Sequence, residues 1–355
     1  MAFYFLHRLS NCIGKLIAKN SFQISLAEMS ARMLAKTTAK IVYLDQKCWI
    51  DIAKLYYGQP TKEEKALIER ILQSSEKGQL IFPLSLSHFE ETMKIGNSRR
   101  KSQLAFLMAK LSQGYALQPY FEKVIEAEIQ NIMLRKLALP TVNIRDFVLK
   151  KGVSQLVGAT PELVFEKGIA SSEAIQEIKE KLLDLLEEPK TIEILLNQSL
   201  PKSFGRGLEK SIREMEKNRR ELRKIKDNNL RKKAFLARNI FAIILPELAK
   251  ISLEYNLPKH FFIREKPTER DVNEFLDSIP TALCLFMLIF QRDQQFQRPI
   301  PKNDFNDIWF LTLAIPYCDI VVTEKMWTTI ARQAKLDTKC NTMILSSVSE
   351  LGKHV

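Results

Sequence analysis

Ile41-Val42-Tyr43-Leu44-Asp45 is a short run of β-branched and aromatic residues that ends in a carboxylate. Such a run reads as a buried strand that delivers an acid at its C-terminal end. A helix is expected next, because Trp49, Ile50, Ala53, Lys54 and Tyr57 fall at helical spacing before Gly58 and Pro60. Thr61 and Glu64 form a capping pattern for a second helix over Ala66 to Gln73. Leu80 to Ser85 then reads as a second strand, and Ser87 as the cap of a helix that begins near His88. Strand, helix, helix, strand, helix is α/β grammar.

The same grammar returns far downstream. Asp307 to Ala314 reads as an apolar helix, Ile320 to Thr323 as a strand, Met326 to Ala334 as a helix and Thr342 to Leu345 as a last strand. Between about residues 100 and 300 only helical signals are expected. Ile175 to Leu186, an amphipathic stretch ended by Pro189, is one, and Ile279 to Phe290, an apolar core helix too short for a membrane span, is another. The two α/β ends must therefore meet in space around a helical middle.

Composition narrows the chemistry. The chain has 355 residues, with 46% hydrophobic and 27% charged, which is globular. Its net charge of +13 favours a polyanionic partner. From Lys202 to Arg238 there are fourteen Lys and Arg against five acids, the densest basic segment of the chain. That segment reads either as a solvated face with pairs such as Glu209–Arg213 and Glu216–Arg220, or as a phosphate-contacting helix using Arg219, Arg220, Arg223, Lys224, Arg231, Lys232 and Lys233. The five cysteines (Cys12, Cys48, Cys284, Cys318 and Cys340) include no CxxC, so neither a disulfide framework nor a zinc ribbon is indicated, and a reducing cytoplasm fits. The four histidines are scattered, and HExxH, Walker A and GxSxG motifs are absent. At the start, the apolar run Ala2 to Leu6 is interrupted by His7 and Arg8, too short for a secretory signal. Residues 1–38 are expected to be a leader, either an amphipathic helix or poorly ordered, with Met29 and Met33 as alternative starts.

Carboxylates recur at strand ends and helix starts: Asp45, Glu90 or Glu91, Asp304, Asp307, Asp319 and Glu324. Acids that converge at the C-terminal ends of a parallel sheet repel one another unless a divalent cation neutralises them, and an all-oxygen set favours Mg²⁺ or Mn²⁺. Taken singly, each reads equally as a helix cap; Asp304 and Asp307, for instance, could cap the helix that enters at Ile308.

Together, Ile41-Val-Tyr-Leu-Asp45, Asp307-Ile-Trp-Phe-Leu-Thr-Leu-Ala314 and Asp319-Ile-Val-Val-Thr323-Glu324 form a composite that resembles the PIN-like nuclease domain. The resemblance covers about residues 40–110 and 300–350. It implies an α/β fold, a PIN-like parallel sheet flanked by helices and assembled from both chain ends (39–110 and 300–355). Residues 111–299 would then be a large all-helical insertion carrying the basic segment 202–238. It further implies a metal-dependent endonuclease, an endoribonuclease in most such proteins, with Asp45, Glu91 (or Glu90), Asp307 and Glu324 holding Mg²⁺ or Mn²⁺. Asp304 and Asp319 stand beside them as further candidates. Nucleic acid, RNA first, would be the partner; a homodimer, an inhibitor protein and a toxin or antiviral setting belong to the same analogy. Two departures from the family pattern stand out. Gln46 and Lys47 replace the usual small or amide residues after the first acid, and Lys325 occupies the place where many members carry the last Asp. They favour an alternative, a catalytically inactive PIN-like scaffold that binds nucleic acid.

Overall fold

The computed structural model describes residues 38–158, 181, 184–198, 208–258 and 260–355. The expected leader and most of the Ile175–Leu186 stretch lie outside the described residues. Four strands, β1 (Lys40–Leu44), β2 (Leu80–Ile81), β5 (Ile320–Val322) and β6 (Met343–Leu345), form one parallel sheet in the order β2-β1-β5-β6. β1 pairs with β5 through Val42–Ile320, Tyr43–Val321 and Leu44–Val322. Both chain ends therefore supply the centre of the sheet.

Strand alternation divides the core in two. Ile41 and Tyr43 face one way, into a core shared with Val321, Trp327 and Ile344. Val42 and Leu44 face the other way, with Trp49, Ile71, Ile320 and Leu345. Because successive side chains of a strand point to opposite faces, both faces of β1 are apolar and both are covered by helices. From β1 to β2 the chain crosses one face through α1 (Gln46–Tyr57) and α2 (Lys62–Glu76). Thr61 and Glu64 close the expected capping box on α2: Thr61 N donates to the Glu64 carboxylate at 2.9 Å, and Glu64 N to Thr61 Oγ1 at 3.3 Å. The β5-to-β6 crossover takes the opposite face, through α15 (Lys325–Gln333) and α16 (Leu336–Cys340). Two crossovers that leave the sheet centre in opposite directions with one hand must lie on opposite faces. A topological switch point follows between β1 and β5.

Several elements differ from expectation. The second strand pairs only over Leu80–Ile81, because the chain then turns outward and Leu84 bridges Ala116 instead. The next helix, α3 (Leu86–Met93), starts before Ser87; its cap is Ser85, whose N–H donates to His88 Nδ1 at 3.0 Å. The middle of the chain is not wholly helical. β3 (Tyr115–Leu117) and β4 (Leu149–Lys151) form a small antiparallel sheet, each too short to leave a periodic signal.

The remaining helices, in chain order, are α4 (Ser98–Ser112), α5 (Phe121–Lys136), α6 (Ile144–Val148), α7 (Val153–Val157), α8 (Pro189–Leu196), α9 (Leu208–Arg223), α10 (Asn228–Asn239), α11 (Leu245–Glu254), α12 (Glu269–Asp277), α13 (Pro280–Asp293), α14 (Lys302–Tyr317) and, after β6, α17 (Val348–Leu351). A π-helical turn at Ile240–Ile244 joins α10 to α11. Val124, Ile129, Phe286 and Leu288 of the helical middle are buried in the same core as Ile41 and Tyr43, so α5 and α13 belong to the apolar layer on that face of the sheet. Among the described residues, no single helix is long and apolar enough to cross a membrane.

Candidate acidic site at the switch point

β1 and β5 end side by side, and their ends carry the acids. Asp45 follows the last residue of β1, and its N–H donates to Val322 O of β5 at 2.9 Å. Its carboxylate is not used as a helix cap on α1. Thr323, 1% exposed at the end of β5, instead donates its hydroxyl to Asp45 Oδ2 at 3.0 Å. Glu324, exposed, is the N-cap residue of α15. Asp307 lies in the second turn of α14, where Trp327 Nε1 donates to its Oδ2 at 2.8 Å. Glu91 arrives from α3, which follows β2.

These four acids feel one another. Burial, then Asp45, Glu91 and Glu324, push the Asp307 carboxyl up to about 8, against the Trp327 hydrogen bond. Burial and the charges of Asp45, Glu90 and Glu324 raise Glu91 to about 7, with Lys94 opposing. Asp45 is raised by burial and by Glu324, while the Thr323 hydrogen bond holds it down. Glu90 pairs with Lys94 at 3.8 Å, and Glu91 feels Asp45 and Glu324 as well as Lys94.

The other candidates lie elsewhere. Asp319 precedes β5, at the opposite end of the strand from Thr323. There Asp319 Oδ2 accepts from Ile41 N at 2.7 Å and from Arg145 at 2.5 Å. A residue before a strand and one after it lie at opposite ends of the sheet, so Asp319 cannot substitute for Glu324. Asp304, 2% exposed, is held between Arg292 at 2.5 Å and Arg298 at 3.0 Å. It neutralises a fully buried guanidinium and does not join the cluster.

Gln46 is buried and donates to Thr92 Oγ1 at 3.1 Å, tying the start of α1 to the residue next to Glu91, while Lys47 is exposed. His88 is fully buried, stacked on Tyr43 with ring centroids 5.4 Å apart, and burial drives it down to about 3, so it is neutral and structural. Thr323 and the Gln46–Thr92 link carried no separate signal in the sequence. Trp327 was legible only as an apolar core residue; the reach of its indole N–H to Asp307 was not.

Oxygen donors alone, crowded at partly buried positions with raised protonation, suit a hard divalent cation. Among the described residues, no three acidic, His or Cys side chains are already drawn in to coordinating spacing. A cation would have to draw the carboxylates together.

The basic segment divides as sharply. Arg219 is 8% exposed and forks onto Arg298 O at 2.9 Å and Gln295 O at 2.7 Å. Arg231 bonds Ile225 O, Gln294 and Lys226 O. Both arginines hold loops together. Lys224 pairs with Glu221 and Lys233 with Glu269, and Lys232 is partly buried. Arg220 and Arg223 are exposed and, among the described residues, neither is ion-paired; the expected Glu216–Arg220 pair does not form. Compared with family models, curated proteins and solved structures, the chain matches none.

Two outcomes follow. The folded state holds protons on Asp307 and Glu91 that the unfolded chain releases at ordinary carboxylate values, so these groups stabilise below those values and the contribution is lost as pH rises towards 8. In EDTA, the melting temperature should fall between about pH 5 and pH 8, D307N should flatten that slope, and Mn²⁺ should raise the melting temperature most at pH 8. D304N should lower stability by about 3 kcal/mol in a urea titration, because it removes the carboxylate bonded to the fully buried Arg292 guanidinium. Its Mn²⁺ response should match that of the wild type.

Proposed function

We propose that the protein is a metal-dependent endonuclease acting on RNA. The observation that carries this reading is the convergence of Asp45, Glu91, Asp307 and Glu324 at the switch point, each of the first three raised by others of the set. The resemblance of the sequence segments around these acids to PIN-like nucleases supports it, and the net charge of +13 suits a polyphosphate substrate.

Asp45, Glu91 and Asp307 would hold Mg²⁺ or Mn²⁺, with Glu324 reaching in from the start of α15. When bound, such an ion supplies charge at the phosphoryl oxygen and lowers the pKa of water, so that no His or Ser nucleophile is required. Thr323 orients the Asp45 carboxylate, and Trp327 does the same for Asp307. Their hydrogen bonds fix donor directions before substrate arrives, the preorganisation that electrostatic catalysis requires. Gln46 and Thr92 keep α1 and α3 in step, and with them Asp45 and Glu91.

The inactive-scaffold reading draws on the absence of a ready-made coordination geometry among the described residues. One assay separates the two. Purified protein is incubated with mixed RNA and single-stranded DNA in Mg²⁺, Mn²⁺ or EDTA, beside a D45N/D307N double variant. Cleavage of RNA should require metal, fall at least about 100-fold in the double variant and persist in D319N. Equal inertness of wild type and double variant, with RNA still bound, would establish the scaffold.

A further inference from the structure

A cavity of about 330 Å³ lies between α9 and the turn that follows α13. Arg219, Arg220, Arg223 and Arg298 line it against a single acid, Glu216, with Phe296 in its wall. Arg219 is the fixed part: its guanidinium is tied to the carbonyls of Arg298 and Gln295 and draws the turn onto α9. Phe296 is covered by two more guanidinium groups, Arg223 and Arg231, each with its central carbon 5.2 Å from the ring centroid. A ring so covered does not offer a face to a base. It orients Arg223 instead, while Arg231 is anchored to the backbone. The cavity therefore presents preorganised guanidinium donors with no stacking surface. Such chemistry selects phosphate and ignores base identity.

Its position is as informative as its charge. Arg298 pairs with Asp304 in the first turn of α14, one turn before Asp307, and contacts the Met326 sulfur, two residues after Glu324. Asp304 serves both Arg292 and Arg298, and the buried Asp293 interacts with Arg219 and Arg292, so the cavity's open positive charge is that of the exposed Arg220 and Arg223. Arg298 thus links the cavity to the N-terminal parts of α14 and α15, the helices that carry Asp307 and follow Glu324.

We infer that this cavity is a phosphate subsite that takes one or two backbone phosphates of an RNA strand and sets it across the acidic cluster without reading its sequence. Naming a nucleic-acid strand rests on the nuclease reading; the anion site itself stands on the cavity.

The test is fluorescence anisotropy with an end-labelled 20-nucleotide RNA in EDTA, over a salt series, so that binding is read without cleavage. R220Q/R223Q should weaken binding by about tenfold or more and lower the slope of log affinity on log salt by about 1.4, since each phosphate neutralised on a single strand contributes ~0.7. K217Q/K226Q removes equal charge from exposed positions of the same basic segment outside the cavity lining, and should cost about threefold at most, as unanchored exposed charges do. Both variants alter exposed side chains, and their melting temperatures check that they fold. RNAs of different sequence should bind alike.

Equal losses in the two variants would overturn the subsite in favour of a diffuse basic face. So would failure of the wild type to bind RNA, or displacement of RNA by tripolyphosphate at matched phosphate concentration, which would mark a site for free polyphosphate. Cavity-dependent binding without any metal-dependent cleavage would instead sink the nuclease reading and leave the subsite standing.

Discussion

The pairing of β1 with β5 is the constraint on which the rest depends. Three registered residue pairs, Val42–Ile320, Tyr43–Val321 and Leu44–Val322, join segments that lie 278 positions apart. Closing so long a loop costs entropy that grows only logarithmically with length, so apolar burial on both faces of a short strand can offset it. That burial is thorough, since Ile41, Val42, Leu44, Val321 and Val322 are all fully inaccessible. The same pairing brings Asp45 beside Thr323 and creates the crevice where the sheet changes direction.

Two opposing tendencies then shape the crevice. Apolar helices on both faces remove water from the strand ends, which penalises ionised carboxylates, yet the chain places several there. Thr323 and Trp327 offset part of the penalty for Asp45 and Asp307, and the remainder appears as raised protonation. Asp304 shows the contrasting solution, a buried acid compensated by two arginines. An acid neutralised by protein cations is structural, whereas acids whose charged neighbours are chiefly other acids are functional-site candidates.

Much of this was legible in the sequence, for identifiable reasons. β1 and β5 are uninterrupted runs of β-branched and aromatic residues, and Thr61–Glu64 caps its helix as its spacing implies. Asp45, Glu91, Asp307 and Glu324 could be named because strand ends and helix starts are local features. Asp319 was a misleading neighbour: it flanks the same strand as Glu324, and only strand direction in a parallel sheet sends the two to opposite ends. β3 and β4 escaped because three residues carry no periodicity, and Lys150 and Lys151 are polar. In the basic segment, composition gave the charge but not its division. Whether an arginine is exposed like Arg220 or tied to carbonyls like Arg219 is decided by a turn some seventy-five residues away.

The order in which the chain is made acquires meaning from this arrangement. During synthesis Asp45 and Glu91 emerge early, with β2 already able to pair beside β1, while the far wall of the crevice is not yet translated. Until β5 is in place, β1 has one open edge and Asp45 lacks both Thr323 and its acidic neighbours. N-terminal segments fold first where they can, but here the first-made half cannot form the acidic cluster alone. The cluster comes into being only when these two distant parts of the fold meet.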